Sequence, residues 1–160
     1  MNELLAASPQ AQVAHGALGC MVSLNHVANR APVPLVDVQI KELGQHRVRH
    51  IDTPNVPHGW EARLLYEETT QTLLCGDLFT QLGDPVALTN NDVVEPDSQA
   101  EDVFGPTCLT PRTGPTIRSL AEFAPGTLAV MHDSFFAGDG AKALVNLADE
   151  YDKRLARAMK

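Results

Sequence analysis

The sequence has few basic residues, 12 against 20 acidic ones, and a formal net charge of −8. Nucleic acids and anionic membrane surfaces attract proteins mainly through clustered Lys and Arg side chains. The basic residues here are scattered, and their densest run, Lys153-Arg154 with Arg157 and Lys160, falls at the end of a predicted helix, where cations are common. We therefore expect neither nucleic acid nor a membrane surface to be the main partner.

Cysteines and long apolar runs are also scarce. Cys20, Cys75 and Cys108 are isolated and form no CxxC pair, which is typical of reduced thiols in a cytoplasmic protein. The first residues lack the basic and apolar segments of a signal peptide, and no run approaches the roughly 18 apolar residues of a membrane span. We expect a soluble, cytoplasmic protein with one domain spanning residues 1–160.

Several catalytic motifs are missing as well. The sequence contains no GxSxG elbow, Walker A loop, GxGxxG or HExxH. Cys75 could act as a nucleophile next to a polar loop, but it lies in an apolar run and is predicted to be a core residue. These absences leave no standard nucleophile or phosphate-binding loop.

The pattern of apolar residues predicts strands first and helices last. Residues 37–51 read as a hairpin turning at Gly44-Gln45, and 63–75 as a second hairpin. Helical spacing from 117 to 124 and from 141 to 159 flanks a buried strand at 127–131. The remaining predictions are a short helix at 2–7, a strand entering a turn at 12–20, an irregular connection at Pro32 and Pro34, and a long loop at 81–112 with one helical turn near 100–104. Together they predict an α/β fold in which helices pack on a mixed sheet.

One carboxylate side chain and one imidazole side chain each follow directly after an apolar strand. Asp77 comes after a core strand and after Gly76, which allows a sharp turn, and His132 comes after the strand at 127–131. Carboxylates and neutral imidazoles are common ligands of zinc and iron. The structural alternatives are a turn-capping carboxylate and a packed histidine. Asp139 is a candidate N-cap of the last helix.

The loop around His58 is stiffened by Pro54 and Pro57 and bent by Gly59, which would fix the side chains of Asn55 and His58. A different histidine pair, His46 and His50, has a helical metal spacing but lies in a predicted strand. There we expect solvated or paired histidines. His15 and His26 have no partner in the sequence, and we assign them no role.

Three blocks taken together resemble the metallo-β-lactamase fold, in particular the branch related to the diiron oxygen-binding domains of flavodiiron proteins. They are residues 53–61 (TPNVPHGWE), 73–80 (LLCGDLFT) and 128–132 (LAVMH). The resemblance covers most of residues 10–158 and implies an αββα sandwich with a metal site at one edge. It also implies that this chain is incomplete at its N-terminal side.

The resemblance assigns metal-site roles to particular residues. Asp77 matches the bridging aspartate and His132 the last histidine, while Asn55 stands where the family usually has a histidine. His58 matches a position beside the site and could substitute as a ligand. The HxHxDH motif that supplies the other ligands is absent. One aspartate and one histidine are too few to hold two metals tightly, so zinc or iron should bind weakly or not at all.

Three functional hypotheses remain open. The chain is a metallohydrolase-like or diiron oxygen-binding-like protein with a degenerate metal site, a non-catalytic binding or structural module, or the C-terminal part of a split diiron protein. In the family, a metal-activated hydroxide attacks a carbonyl or phosphoryl group, whereas the diiron variant binds dioxygen or nitric oxide. The missing first sheet should expose apolar surface, which favours a homo-oligomer or a partner chain.

Overall fold

The computed structural model describes residues 1–83 and 86–160, in which strands precede most of the helices. The strands are β1 (Ala14–Gly16), β2 (Val33–Leu35), β3 (Ile40–Leu43), β4 (His46–Asp52), β5 (Arg63–Glu67), β6 (Thr72–Gly76), β7 (Leu88–Thr89), β8 (Thr127–Val130) and β9 (Phe135–Ala137). The helices are α1 (Asn2–Ala7), α2 (Ala17–Gly19), α3 (Val94–Phe104), α4 (Thr113–Leu120) and α5 (Gly140–Ala158). A π-helical turn (Cys20–Leu24) follows α2, and a 3-10 turn (Ala121–Phe123) follows α4.

Seven strands form one mixed sheet in the order β3-β4-β5-β6-β8-β9-β7. Strands β3 to β6 are consecutive and antiparallel, which confirms both predicted hairpins. Strand β8 then pairs in parallel with β6, and this pairing brings the ends of β6 and β8 to the same edge. Strands β1 and β2 form a separate parallel pair. The predicted α/β fold with helices on a mixed sheet is confirmed.

The main core lies between one face of this sheet and helices α4 and α5. Side chains on a strand alternate between the two faces, and the buried set alternates accordingly. Leu73 and Leu128 of the sheet and Ile117 and Leu144 of the helices are fully buried. Asp139 caps α5 as predicted, because its Oδ1 accepts a hydrogen bond from the Lys142 N–H at 2.9 Å.

The opposite face of the sheet is partly uncovered. The pairing register puts Leu43, Leu74, Leu88 and Phe135 on this face, and their side chains are 62%, 42%, 57% and 45% exposed. We call these four residues the open face. An antiparallel or mixed sheet normally buries at least one face, and on the second face these four apolar side chains remain exposed beside polar ones such as Lys41.

Two sequence predictions about local structure are wrong. The segment predicted as a loop with one helical turn contains the eleven-residue helix α3. Asp92 initiates this helix, because its carboxylate accepts hydrogen bonds from the N–H groups of Val94 and Glu95. Asp84 and Pro85 of the same predicted loop lie outside the described residues.

The second wrong prediction concerns Pro34, which lies in strand β2 and not in an irregular connection. Strand β2 pairs with β1 alone, so the missing N–H of a proline is tolerated there. The segment predicted as a strand at 12–20 is a strand only over Ala14–Gly16 and continues as α2. Within the described residues, no helix is long and apolar enough to cross a membrane.

Candidate metal centre

Asp77 lies in a tight turn that follows strand β6. The turn starts at Gly76 and ends at Phe79, and both residues have positive φ angles, +55° and +63°. The Leu78 N–H donates to the Cys75 carbonyl at 3.1 Å, and the Thr80 hydroxyl donates to the Asp77 carbonyl at 2.7 Å. These contacts hold the Asp77 side chain at the edge of the sheet, where it remains 32% exposed.

His132 follows the neighbouring strand β8 and is fixed relative to this turn by two backbone hydrogen bonds. The Met131 N–H donates to the Gly76 carbonyl at 3.3 Å, and the Gln81 N–H donates to the His132 carbonyl at 3.2 Å. The parallel pairing of β6 with β8 is the reason that two residues 55 positions apart meet.

His58 reaches the same place from the loop between β4 and β5. Two hydrogen bonds close one end of this loop: the Thr53 hydroxyl donates to the Val56 carbonyl at 2.9 Å, and the Val56 N–H donates to the Thr53 carbonyl at 2.8 Å. The Cys108 N–H donates to the Pro57 carbonyl at 2.6 Å and ties the loop to the segment before α4. The loop is therefore ordered by its own hydrogen bonds and presents His58 at its tip.

Two histidines converge on one carboxylate at this edge. His58 Nε2 donates to Asp77 Oδ2 at 2.9 Å, and His132 Nε2 lies 3.1 Å from Asp77 Oδ1. The imidazoles are about half exposed, at 50% and 57%. The structure thus brings together three of the four residues that the sequence named for the metal site.

Asn55, the fourth named residue, belongs to the same loop but is not part of this contact. Its backbone has φ +64°, a left-handed conformation that Asn tolerates well, and its N–H donates to the Gly59 carbonyl at 2.8 Å. Among the described residues, its side chain forms no hydrogen bond with His58, Asp77 or His132.

The three convergent residues do not form a complete metal site. A histidine that binds a metal presents a nitrogen lone pair to it, whereas both Nε2 atoms here point at separate oxygens of one carboxylate. In residues 1–83 and 86–160, no group of three or more His, Cys, Asp or Glu side chains is arranged to hold a metal ion. A structural zinc site uses four ligands, and a pair of metals needs more. Taken by themselves, the side chains that the structure describes therefore do not fit a diiron centre.

A cavity of about 320 Å³ opens beside Asp77 and His58. It is also lined by His15, Arg63 and Glu61. Arg63 donates to His15, and the pKa of His15 is lowered by burial and, to a lesser extent, by this guanidinium. The sequence assigned His15 no role, because His15 and Arg63 are 48 positions apart and come into contact only in the folded chain.

The histidine pair in strand β4 only partly follows its prediction. His46 is exposed and lies 3.3 Å from Glu67, as expected for a paired surface histidine. His50 is 1% exposed, and neither ring nitrogen has a hydrogen-bond partner in the described structure. The expectation of a solvated residue is wrong for His50, because the segment around Gly16 covers this part of the sheet. The alternative of a paired residue holds, since His50 Nε2 lies within ion-pair distance, 3.5 Å, of Asp52 Oδ1.

Comparison with known proteins identifies the fold. No family model matches the chain, and no curated protein matches it in sequence. Solved structures do match. Rubredoxin oxygen:oxidoreductase from Desulfovibrio gigas is 14% identical, with a TM-score of 0.67 over 96% of this chain and 40% of its own. The metal-soaked Flv1 flavodiiron core from Synechocystis sp. is 20% identical, with a TM-score of 0.68 over 94% and 38%.

A third match is the apo state of the chemotaxis sensor ODP from T. denticola, with 14% identity and a TM-score of 0.65 over 85% of this chain and 57% of its own. The chain thus spans about 40% to 60% of the length of these similar structures. At such identities the comparison establishes the fold alone. The chain has the metallo-β-lactamase-like fold of the diiron domains in flavodiiron proteins and ODP.

Proposed function

We propose that this chain forms one side of a diiron-type oxygen-binding module, with Asp77 and His132 as metal ligands and His58 beside them. The observation that supports this most is the convergence of both histidines on Asp77 at one edge of a sheet with the fold of diiron domains. The similar structures include diiron proteins, so iron is the metal that we propose in preference to zinc.

The remaining metal ligands would come from a second layer that packs on the open face. Three observations support this: the present donors are too few, the open face is apolar, and the similar chains are longer than this one. A second copy of this chain or a different chain could provide that layer. When the centre is complete, a diiron site supplies binding of dioxygen or nitric oxide.

The residues of this chain have defined tasks in this proposal. The Asp77 carboxylate provides an anionic ligand at a fixed position, because the turn from Gly76 to Phe79 holds it. The His132 imidazole would provide a nitrogen ligand. His58 would keep its hydrogen bond to Asp77 and orient that carboxylate, as residues beside metal ligands commonly do.

We favour oxygen-related chemistry over hydrolysis because the names of similar structures refer to reactions with oxygen. These include rubredoxin oxygen:oxidoreductase and a peroxy diiron species of ODP. A purely structural role for this chain predicts no dependence of ferrous iron binding on Asp77, so iron binding distinguishes a metal site from a structural module.

The substitution Asn55→His tests the proposed site. A histidine at this position adds an imidazole nitrogen where only a neutral amide is present, and histidine tolerates positive φ better than most residues. The affinity for Fe²⁺, titrated under anaerobic conditions, should rise by roughly tenfold or more. The matched control is His26→Ala, which removes an exposed histidine remote in sequence from the site and should leave the affinity unchanged.

The double variant Asn55→His with Asp77→Asn should lose the gain. A gain that survives the loss of the Asp77 carboxylate would place the metal elsewhere and contradict the proposal. An Asn55→His chain that binds Fe²⁺ no better than the natural sequence would contradict it as well.

A further inference from the structure

The loop that carries His58 is joined to the segment before helix α4. Within this loop Pro57 is buried, and the next residue, His58, is exposed. The Pro57 carbonyl accepts a hydrogen bond of 2.6 Å from the Cys108 N–H. In residues 1–83 and 86–160, no other backbone hydrogen bond joins residues 53–62 to a part of the chain beyond β5. The direction in which the loop presents His58 therefore depends on the position of Cys108.

Cys108 is in turn held by the side chain of Thr113, the first residue of α4. The Thr113 hydroxyl donates to the Cys108 carbonyl at 2.6 Å. The same hydroxyl oxygen accepts a hydrogen bond from the Thr110 N–H at 3.0 Å and lies 3.2 Å from the Thr110 hydroxyl. One side chain thus closes the segment from 108 to 113 on itself and fixes Cys108 relative to α4.

Thr113 is well placed to act as an anchor, because it lies in a helix that packs on the main core. Its side chain is only 1% exposed, and Ile117 and Leu120 of the same helix are fully buried. A buried hydroxyl is costly unless it is hydrogen-bonded, and this one binds a backbone carbonyl and a backbone N–H. The hydroxyl therefore points to a specific task in the segment that it binds.

The loop meets Asp77 at its other end. His58 Nε2 donates to Asp77 Oδ2 at 2.9 Å, and the turn that holds Asp77 has its own hydrogen bonds. The two partners are thus positioned by different parts of the chain. Because a hydrogen bond weakens steeply with distance, a displacement of the loop by about 1 Å would break this contact.

We propose that Thr113 is a positioning residue for His58: its hydroxyl fixes Cys108, the Cys108 N–H fixes the Pro57 carbonyl, and the loop then presents the His58 imidazole to Asp77. The relevance of this contact to metal binding rests on the proposed function, whereas the position of His58 does not. In the described structure Thr113 forms no hydrogen bond with His58 or Asp77, so it acts through the backbone of Cys108 and Pro57.

The test compares Thr113→Val with Thr113→Ser in the metal-free chain. Valine keeps the branched shape but lacks the hydroxyl, while serine keeps the hydroxyl. In Thr113→Val, hydrogen exchange of the Cys108 amide should be about tenfold faster or more, because the freed Cys108 carbonyl makes local opening easier. The nuclear Overhauser effect between the His58 ring protons and the Asp77 β protons should lose about half of its intensity or more. In Thr113→Ser, both properties should stay within about twofold of the natural chain.

The matched control is Thr116→Val, which removes a hydroxyl from the next turn of α4. The Thr116 hydroxyl takes part in none of these hydrogen bonds, so this variant should behave like the natural chain. A folded Thr113→Val that keeps slow exchange at Cys108 and the contact of His58 with Asp77 would overturn the inference. A Thr113→Ser as impaired as Thr113→Val would overturn it as well.

The outcomes separate this inference from the proposed function. The exchange and Overhauser measurements use no metal, so they decide the role of Thr113 whatever the iron titrations show. If Thr113→Val loses the contact of His58 with Asp77 and still binds Fe²⁺ like the natural chain, the task proposed for His58 fails and the role of Thr113 stands.

A measurement on the natural chain covers the case in which Thr113→Val does not fold. The Thr113 hydroxyl proton should be protected from exchange with water and should show a scalar coupling to the Cys108 carbonyl carbon across the hydrogen bond. A Thr113 hydroxyl proton that exchanges as fast as that of Thr116 would overturn the inference.

Discussion

Asp97 is the residue whose ionisation should most affect the stability of the folded chain. Burial and, to a lesser extent, the nearby Glu101 raise the pKa of Asp97 from 3.8 to about 7, and a hydrogen bond from Tyr151 opposes this shift only in part. Between about pH 4 and pH 7 the folded chain therefore keeps a proton that the unfolded chain has lost. The free energy of unfolding should fall as pH rises through this window and level off above it.

The substitution Asp97→Asn should remove this pH dependence, because the amide does not titrate. Relative to the natural chain, the free energy of unfolding of Asp97→Asn should increase by about 2 to 4 kcal/mol between pH 4 and pH 7.5, since one pKa unit corresponds to about 1.4 kcal/mol. Urea unfolding at a series of pH values measures this difference.

The control is Glu3→Gln, which changes an exposed carboxylate on α1 and should show no such trend. If the free energies of unfolding of Asp97→Asn and of the natural chain change with pH in parallel, the expectation is refuted.

Individual site residues were predictable where a local pattern marks them. Asp77 and His132 each follow an apolar strand, and His58 lies between prolines and a glycine, so their positions at a sheet edge could be anticipated. Their contact distances could not, because these depend on the parallel pairing of β6 with β8. The backbone conformation of Phe79 was also hidden, since nothing in the sequence reveals a positive φ at a phenylalanine.

At the scale of secondary-structure elements, strands and helices with a clear apolar period were predicted well. The hairpins β3–β4 and β5–β6 and helix α5 follow alternating or helical patterns that burial explains directly. Helix α3 was missed because its sequence, VEPDSQAEDVF, is mostly polar and buries only Asp97 and Ala100. It is held by capping from Asp92 and by polar contacts with α5, such as Arg154 to Asp102 at 2.6 Å. Such tertiary contacts between polar residues leave no periodic signal.

At the scale of the whole molecule, the open face is the most unusual property of the fold. Leu74 lies near its centre, since β6 has β5 on one side and β8 on the other. Apolar side chains exposed in this way favour association through the sheet, with each buried side chain contributing roughly 1 to 3 kcal/mol.

We therefore expect the isolated chain to self-associate at micromolar concentrations and Leu74→Lys to weaken this association about tenfold, since a charge would have to be buried. Sedimentation equilibrium measures the effect. Leu4→Lys changes a leucine that is 73% exposed on α1 and is not one of the four open-face residues, and this variant should associate like the natural chain. A natural chain that sediments as a monomer throughout this range would contradict self-association and favour a different partner for the open face.

The iron content of the isolated chain tests the partial metal centre most directly. The chain should be purified without oxygen, supplied with excess Fe²⁺, passed through a desalting column and analysed for iron by elemental analysis. Because Asp77, His132 and His58 provide only part of a ligand set, we predict less than one tightly bound iron per chain. Two bound iron atoms per chain would contradict the account, since they would require a complete diiron site within these 160 residues.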